Sequence, residues 1–239
     1  MQEDFSPDFK TACSKADEIL ICSNKITIFP FSLSKVMDEF TEIEKRPFSS
    51  LSGKSLSPSQ IVGSDDGALL TDGCGNFLMY YNEEKPQVRL RFTLGHEFGH
   101  YMLGHDMELV TLYRQKNDPH LELIYKKYEA ESNMFAAQLL MPEQVIMELA
   151  RRGCPINAAF LEKTFKVSKE AAEIRIKNLN KAYNLTAYRK YRADDAMSCD
   201  DIILRKFKPF IDCITPRKDS FMDEFEREEA LERERQSWY

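Results

Sequence analysis

The stretch Arg91-Phe92-Thr93-Leu94-Gly95-His96-Glu97-Phe98-Gly99-His100 is the most informative part of this 239-residue sequence. It places two histidines four residues apart, with a glutamate directly after the first. Residues four apart on a helix lie on the same face, so the imidazoles of His96 and His100 can reach one ion. The carboxylate of Glu97 can lie beside that ion and take a proton from an attacking water. The spacing therefore predicts a helix that supplies two metal ligands and a general base.

A catalytic zinc site also needs a third protein ligand and one open position. The pattern HExxHxxGxxH would supply a third histidine, but Leu103 and Asp106 occupy the positions of its glycine and histidine. A glutamate from a later helix is the alternative. One stripe at helical spacing there consists of Tyr125, Glu129, Asn133, Ala136 and Leu140. Glu129 is therefore the expected third ligand, and Asn133 is expected to hydrogen-bond a ligand histidine. The competing carboxylate, Glu131, lies on roughly the opposite face.

Four other side chains are candidates for a role near this site. Tyr125 shares the stripe of Glu129 and could contact the oxyanion of the reaction, or it could be a core tyrosine. His105 and His120 are not needed as ligands. Each is either an exposed or hydrogen-bonded histidine without a role in the reaction, or a hydrogen-bond donor to the transition state. Cys74 lies in a Gly-flanked turn, from which a thiolate could reach an open zinc position as an inhibitory ligand. Plain structural roles are the simpler interpretation for the histidines and the cysteine.

Apolar runs and turn residues place a small β-structure before the metal-binding helix. Residues 68–71 and 77–81 flank a Gly-rich turn, which predicts a β-hairpin. The metal-binding helix is expected from about Pro86 to Leu103, and Gly104 follows as a typical C-terminal residue. The other expected elements are helices at 7–20, 33–40, 121–140, 143–152, 158–165 and 169–182, a loop at 49–59, a strand at 185–192 and a solvated helix or tail from about residue 220. Strands that precede the helices place the chain in the α+β class, with helix dominant.

Two segments together are similar to a known family. The HExxH stretch quoted above is followed, at 129–142, by Glu-Ala-Glu-Ser-Asn-Met-Phe-Ala-Ala-Gln-Leu-Leu-Met-Pro. This pair of motifs resembles the ImmA/IrrE group of gluzincin-type metallopeptidases, and the resemblance covers about residues 20–183. It implies one zinc ion per chain, Glu97 as the general base, and a set of zinc ligands formed by His96, His100 and Glu129. Gly95 is a departure, since the family more often has alanine there, but glycine is small enough to be harmless.

The resemblance also implies a fold, a domain organisation and a substrate. The fold is a zincin-like metallopeptidase core with a small β-sheet or hairpin before the HExxH helix, followed by a helical, helix-turn-helix-like segment. Residues 1–192 would form this domain, with 156–183 packed on it, and 193–239 would form a C-terminal extension with a charged helix. Members of the family typically cleave small helix-turn-helix repressors or antirepressors encoded nearby, often in mobile elements or stress responses. We therefore expect a zinc-dependent endopeptidase that cuts such a repressor and so controls gene expression.

A basic segment raises a rival function. Residues 156–192 contain nine Lys/Arg against three Glu, a local charge of +6. Since the net charge of the whole chain is −6, the remaining residues together carry −12. The short helix, turn and second helix within 156–183 resemble a helix-turn-helix, and a DNA-binding regulator is therefore the alternative. Few side chains of the second helix could read bases, so packing on the peptidase core is the simpler interpretation. A zinc-stabilised binding protein without hydrolysis is a third possibility, which the presence of Glu97 weakens. For an endopeptidase, 156–192 and the acidic stretch 219–235 are the expected docking surfaces.

The composition is typical of a cytoplasmic globular protein. Apolar residues make up 43% and charged residues 30% of the chain. The sequence begins without a basic stretch followed by an apolar run, and no apolar segment approaches the ~20 residues that span a bilayer, so neither a secretory signal nor a membrane partner is expected. The six cysteines lack paired CxxC spacing and are expected to be free thiols. The composition does not determine the oligomeric state.

Overall fold

The computed structural model describes residues 6–51, 56–116, 121–184 and 199–215. The helices are α1 (Phe9–Cys22), α2 (Leu33–Met37), α3 (Pro58–Val62), α4 (Gln87–Met102), α5 (Met107–Lys116), α6 (Glu122–Leu140), α7 (Glu143–Arg151), α8 (Ala158–Phe165), α9 (Lys169–Asn184), α10 (199–206) and α11 (Lys208–Ile214), and the strands are β1 (Ile43–Pro47), β2 (Gly67–Thr71) and β3 (Phe77–Tyr81). Helix dominates, which confirms the α+β, mostly helical class. Within these ranges no helix is long and apolar enough to cross a membrane.

The strands that the structure describes form one mixed sheet in the order β1-β3-β2. β2 and β3 are antiparallel, so the predicted hairpin is confirmed. The carboxylate of Asp72 stabilises the hairpin turn by accepting hydrogen bonds from the backbone of Cys74 and Asn76, at 2.7 and 3.1 Å. β1 is absent from the elements that the sequence predicts, and it pairs with β3 in parallel, with Ile43 opposite Phe77. This arrangement leaves β2 at an edge of the sheet.

α4 lies within one residue of its predicted bounds, and Gly104 follows it with a φ of 64°. The helix has one nearly continuous buried section, residues 94–100, which contains the whole HExxH motif. A section of helix that is buried on all its faces must be covered by other elements on every side. α6 covers one of these sides and carries the second motif, at 129–142.

Gly99 permits the close crossing of α4 and α6. A Cβ atom at this position would lie only 3.1 Å from both the Cα and the carbonyl oxygen of Ser132 on α6. Beside the crossing, the fully buried rings of Phe98 and Phe135 pack edge to face, with centroids 5.7 Å apart. The backbone of α6 therefore comes close enough for its side chains to reach the histidines of α4.

The α8–α9 pair has the helix-turn-helix shape that its sequence predicts, with Lys166 in the left-handed conformation (φ 53°) between the two helices. Arg91 of α4 donates to the carbonyl oxygens of Phe165 (2.7 Å) and Lys166 (3.0 Å) at this turn. Arg175 of α9 is buried, and its Nε donates to the carbonyl oxygen of Met141 at the end of α6, at 3.0 Å. The pair is thus packed against the helices that carry the two motifs.

Several predicted elements differ from the structure. The expected loop at 49–59 contains part of a 3₁₀ helix, Phe48–Leu51, and the start of α3. α3 is capped by Ser57, whose side chain accepts from the backbone of Gln60 while the Gln60 side chain accepts from the backbone of Ser57. The expectation that strands precede helices is wrong, because α1 and α2 come before β1 and α3 lies between β1 and β2. The predicted strand at 185–192 and the tail from residue 220 lie outside the described residues.

α5 is a helix that the sequence analysis does not predict. Its start is capped by Asp106, whose carboxylate accepts from the backbone N–H groups of Glu108 and Leu109, at 3.0 and 3.2 Å. Met107 and Val110 are buried on its inner side. α5 packs next to the edge strand β2 and brings a third group of side chains to the motif helices.

Candidate metal centre

α4 and α6 bring together the three side chains that the sequence predicts as metal ligands. Nε2 of His96 lies 3.1 Å from Nε2 of His100 and 3.1 Å from Oε2 of Glu129. Nε2 of His100 lies 3.4 Å from Oε1 of Glu129. In the part of the chain that the structure describes, these residues form the one group of three or more His, Cys, Asp or Glu side chains whose donor atoms lie within 4.8 Å of one another.

The separations of these donor atoms fit a tetrahedral ion. Ligand atoms 2.0–2.2 Å from a tetrahedral zinc ion are about 3.3–3.6 Å apart. The two histidine nitrogens are 3.1 Å apart, and each lies 3.1–3.4 Å from its nearer Glu129 oxygen, Oε2 for His96 and Oε1 for His100, which differs from this range by only a few tenths of an ångström. With one ligand atom from each residue, the three atoms lie within 4.8 Å of one another. Two imidazoles and one carboxylate are also a donor set of catalytic zinc sites, in which the fourth position takes water or substrate. The His100 side chain is fully buried whereas 23% of the Glu129 side chain is exposed, so solvent reaches the group from the Glu129 side.

Asn133 lies where the helical stripe predicts it, one turn beyond Glu129. Its Oδ1 is 3.0 Å from Nδ1 of His96. An amide oxygen accepts, so this hydrogen bond requires the proton of His96 to be on Nδ1. Nε2 then presents its lone pair to the point where the three donor atoms converge. Asn133 thereby fixes both the tautomer and the orientation of this histidine.

His105 and Glu131 have a corresponding relation to His100. Nδ1 of His100 is 2.9 Å from Nδ1 of His105, and Nε2 of His105 is 2.9 Å from Oε2 of Glu131. When Nε2 of His100 faces the centre, its Nδ1 proton is donated to His105, whose own Nε2 proton is donated to Glu131. Burial and the nearby histidines lower the pKa of His105 to about 3, so its ring is neutral as this chain of hydrogen bonds requires. His105 is thus a buried histidine with both ring nitrogens hydrogen-bonded, in agreement with the structural role that is its simpler interpretation.

Glu97 is buried beside the three converging donor atoms. Its Oε2 accepts a hydrogen bond from the backbone N–H of Leu69 on β2, at 2.9 Å. Its Oε1 is 3.4 Å from Nη2 of Arg114 on α5. Burial acts to raise the pKa of Glu97, but the net shift is downward, and the positive charge of Arg114 is the largest cause that lowers it. The carboxylate is therefore ionised at neutral pH, as a proton acceptor must be.

Arg114 is a component of this site that the sequence analysis misses. Its Nη2 is also 3.2 Å from Oε1 of Glu129, and only 9% of its side chain is exposed. The hydroxyl of Tyr125 lies close to both Arg114 and Glu129, and the Tyr125 ring stacks on Tyr113 with centroids 4.2 Å apart. Tyr125 therefore directs its hydroxyl to the site while its ring packs against the edge of the core. The available signal for Arg114 was the cap Asp106 followed by apolar residues at helical spacing.

The remaining candidates lie away from the converging donor atoms or outside the described residues. Cys74 is exposed in the hairpin turn, and its thiol is not part of the group described above. His120 lies outside the described residues. In the basic segment, Lys163, Lys166 and Lys169 are exposed, whereas Arg175 is buried among backbone and side-chain acceptors and is not available to a phosphate.

An HExxH helix crossed by a helix with a converging glutamate, beside a small mixed sheet, defines a gluzincin-type site. Residues 61–177, which include every residue of this site, match the peptidase M78 family model described as an IrrE N-terminal-like domain. The radiation response metalloprotease IrrE of Deinococcus radiodurans is 36% identical over 114 residues, which cover 46% of this chain and 33% of that protein. Residues 61–177 therefore match the ImmA/IrrE-type family, and the family resemblance of the sequence is confirmed over this segment. The match spans about a third of the length of the curated relative.

Proposed function

We propose that this chain is a zinc-dependent endopeptidase of the cytoplasm that hydrolyses one specific protein and so controls gene expression. The observation that carries the proposal is the convergence of His96, His100 and Glu129, with the carboxylate of Glu97 near enough to interact electrostatically with all three. Imidazole ligands favour zinc over magnesium and calcium, which prefer oxygen donors throughout. One group of donors implies one zinc ion per chain.

The residues around the centre have separate tasks in this reaction. A bound zinc ion would polarise the scissile carbonyl and lower the pKa of a water molecule. Glu97 accepts a proton from the attacking water and later gives it to the leaving nitrogen. The N–H of Leu69 holds one oxygen of Glu97 in place. Asn133 and His105 hold the rings of the two histidines.

The edge of the sheet beside the centre supports a polypeptide substrate. The N–H of Asn82 donates to the carbonyl oxygen of Asp66. At the other end of the hairpin, the N–H of Asp72 donates to the carbonyl oxygen of Asn76. The even-numbered residues of β2 are therefore the ones whose peptide groups hydrogen-bond to β3. The peptide groups of the odd-numbered residues therefore point away from β3, and Leu69 directs its N–H into the site. An extended substrate segment can lie along this edge, as in β-strand addition.

The family and the charge pattern together suggest the substrate. The curated relative is described as a radiation response metalloprotease, which is consistent with a peptidase in a regulatory response. We propose a small helix-turn-helix repressor or antirepressor encoded nearby as the substrate. Its basic DNA-binding face would complement the acidic stretch 219–235, which lies outside the described residues. The buried position of Arg175 and the contacts of the α8–α9 turn with α4 weigh against DNA binding as the main function.

Metal analysis tests the ligand assignment. We expect about one equivalent of zinc in the wild-type protein and almost none in Glu129→Ala, because two imidazoles alone leave the ion without its third protein ligand. Glu122→Ala, an exposed glutamate on the same helix, is the matched control and should retain zinc. Zinc retained in Glu129→Ala at the wild-type affinity would show that the third ligand is wrongly assigned.

Cleavage of the repressor encoded by the neighbouring reading frame tests the activity. Glu97→Gln should keep the zinc and the fold, but it should cleave the repressor at least about 10²-fold more slowly, because an amide cannot accept the proton. Wild-type cleavage by Glu97→Gln would remove this residue from the mechanism. If zinc-loaded wild-type protein cleaves neither the repressor nor any peptide but binds its own upstream DNA with strong salt dependence, the DNA-binding alternative takes precedence.

A further inference from the structure

Arg114 is unusual among the residues of the site because it brings a positive charge to a metal centre. In the described parts of the chain, it is the one Lys or Arg whose charged end contacts both Glu97 and Glu129, at 3.4 and 3.2 Å. The same nitrogen, Nη2, makes both contacts. A guanidinium has five N–H donors, so Arg114 can still donate to another oxygen in the site. A nearby cation opposes the binding of a divalent metal ion, which means that metal affinity alone does not explain this residue.

We propose that Arg114 is a further catalytic residue, whose guanidinium donates to the oxygen of the scissile carbonyl as that oxygen becomes negatively charged. This inference rests on the endopeptidase function proposed above. In the step concerned, the water oxygen bonds to the carbonyl carbon, the π electron pair moves to the carbonyl oxygen, and a water proton moves to Glu97. When the carbonyl re-forms, the C–N bond breaks and the proton on Glu97 goes to the leaving nitrogen.

The contact between Arg114 and Glu97 fits this step. Before the attack, the negative charge lies on the carboxylate of Glu97, and Arg114 is attracted to it. Proton transfer neutralises Glu97 while negative charge develops on the carbonyl oxygen. A guanidinium within reach of both oxygens therefore exchanges a weakening interaction for a strengthening one, which lowers the energy of the transition state relative to the ground state.

The side chain of Arg114 is held in place before any substrate binds. A Cβ at Gly63 would lie 3.1 Å from Cβ of Arg114, so the glycine that ends α3 leaves room for the arginine stem. On the other side, the hydroxyl of Tyr125 lies next to the guanidinium. The Tyr125 ring is itself stacked on Tyr113 of α5. Tyr125, which the sequence analysis considers as an oxyanion contact, is on this geometry a positioning residue that acts through Arg114.

The test compares Arg114→Met with Lys116→Met, an exposed residue two positions along the same helix that changes the charge equally. The substrate probe is the peptide that the wild-type protein cleaves best from a library of synthetic decapeptides. We expect Arg114→Met to lower kcat about 10²–10³-fold with little change in KM, as for other oxyanion donors. A phosphinic analogue of the same peptide, which carries an anionic tetrahedral group, should lose affinity in calorimetry by a similar factor. Lys116→Met should match the wild type in both measurements.

Zinc affinity distinguishes the catalytic role from a structural one. Removing the cation should leave the zinc affinity of Arg114→Met unchanged or raise it, whereas a residue that only holds Glu129 in place would lower it on removal. Arg114→Lys, which keeps the charge, should lose less activity than Arg114→Met, and Tyr125→Phe should lose less again. Wild-type or faster cleavage by Arg114→Met, or an unchanged affinity for the phosphinic peptide, would overturn the inference while leaving the endopeptidase function intact. If zinc-loaded wild-type protein cleaves neither the repressor nor any peptide, the proposed function itself fails.

Discussion

Replacing Gly99 with alanine is expected to destabilise this protein, although alanine is the better helix former. Gly99 lies inside the HExxH motif, where α4 crosses α6. The added Cβ would lie 3.1 Å from Cα and from the carbonyl oxygen of Ser132, and 3.1 Å from Cδ1 of Phe135. Ordinary contacts between carbon atoms are about 3.5–4.0 Å. Two of the three neighbouring atoms belong to the backbone of α6, so the helices themselves must move apart by several tenths of an ångström.

The magnitude follows from two opposing effects. Alanine in place of a mid-helix glycine stabilises a helix by about 0.5–1 kcal/mol. An added group in a well-packed interior costs about 1–3 kcal/mol. For Gly99→Ala the second effect dominates, and we expect a net loss of about 1–2 kcal/mol in the free energy of unfolding.

Gly95, one turn earlier on α4, provides the matched control. A Cβ there would be 3.3 Å from the Cβ of Ala136, and its other neighbours are side-chain atoms of Leu140 and Leu33, both at 3.6 Å. The two leucine contacts are ordinary and involve side-chain ends that can shift, and the contact with Ala136 is short of an ordinary one by only about 0.2 Å. The gain in helix propensity therefore offsets the packing cost, and Gly95→Ala should stay within about 0.5 kcal/mol of the wild type.

The assay is urea unfolding of both variants, followed by circular dichroism on zinc-loaded protein. With an m value of about 2 kcal/mol/M, the two unfolding midpoints should differ by about 0.5–1 M, and Gly99→Ala should be the less stable. Zinc affinity is the second readout, because separating α4 from α6 moves His100 away from Glu129. A metal site tolerates only about 0.2 Å of error in its ligand distances. Gly99→Ala with the stability and zinc affinity of Gly95→Ala would refute the crossing geometry.

Two further predictions concern residues that support the site. Glu131→Gln should weaken zinc binding about 10–100-fold, measured by competition with a chelator. Glu131 accepts from His105 with one oxygen and from the backbone N–H of Asp8 with the other, at 2.9 and 2.6 Å, and an amide has only one accepting oxygen for the two donors. The exposed Glu122→Gln on the same helix should leave the affinity unchanged, and equal losses in both would contradict this role. Arg175→Met should lower the free energy of unfolding by about 2–4 kcal/mol, because buried acceptors lose charged hydrogen bonds. The exposed Lys177→Met should cost less than about 0.5 kcal/mol, and urea unfolding of both variants checks the difference.

Periodicity within one helix predicts which side chains share a face, and much of the candidate site follows from that alone. The i, i+4 spacing of His96 and His100 and the i, i+4 spacing of Glu129 and Asn133 correspond to contacts in the structure. The hairpin also follows from local signals, since the Gly-rich turn at 72–76 lies between two apolar runs. These features depend on neighbours a few residues apart, whose relative positions the helix or turn geometry sets.

Contacts between elements that are far apart in the sequence could not be predicted in this way. The strand β1 has a polar pattern, Ile-Glu-Lys-Arg-Pro, and becomes a strand because β3 lies beside it. Arg114 enters the site because α5 packs beside β2. The local sequence of β1 or of α5 does not show which element will lie beside it, since that depends on the packing of the whole core.

Glu131 shows most clearly how a correct local argument gives an incomplete account of a site. It lies about 200° around α6 from Glu129, which places it away from the group formed by His96, His100 and Glu129. The chain, however, turns at Gly104, whose φ of 64° favours glycine, and the backbone N–H of His105 donates to the carbonyl oxygen of His100. His105 is thereby folded back against His100, on the side away from the metal position. One face of α6 then reaches the metal position through Glu129 while another reaches the back of His100 through His105, so both carboxylates serve the same centre.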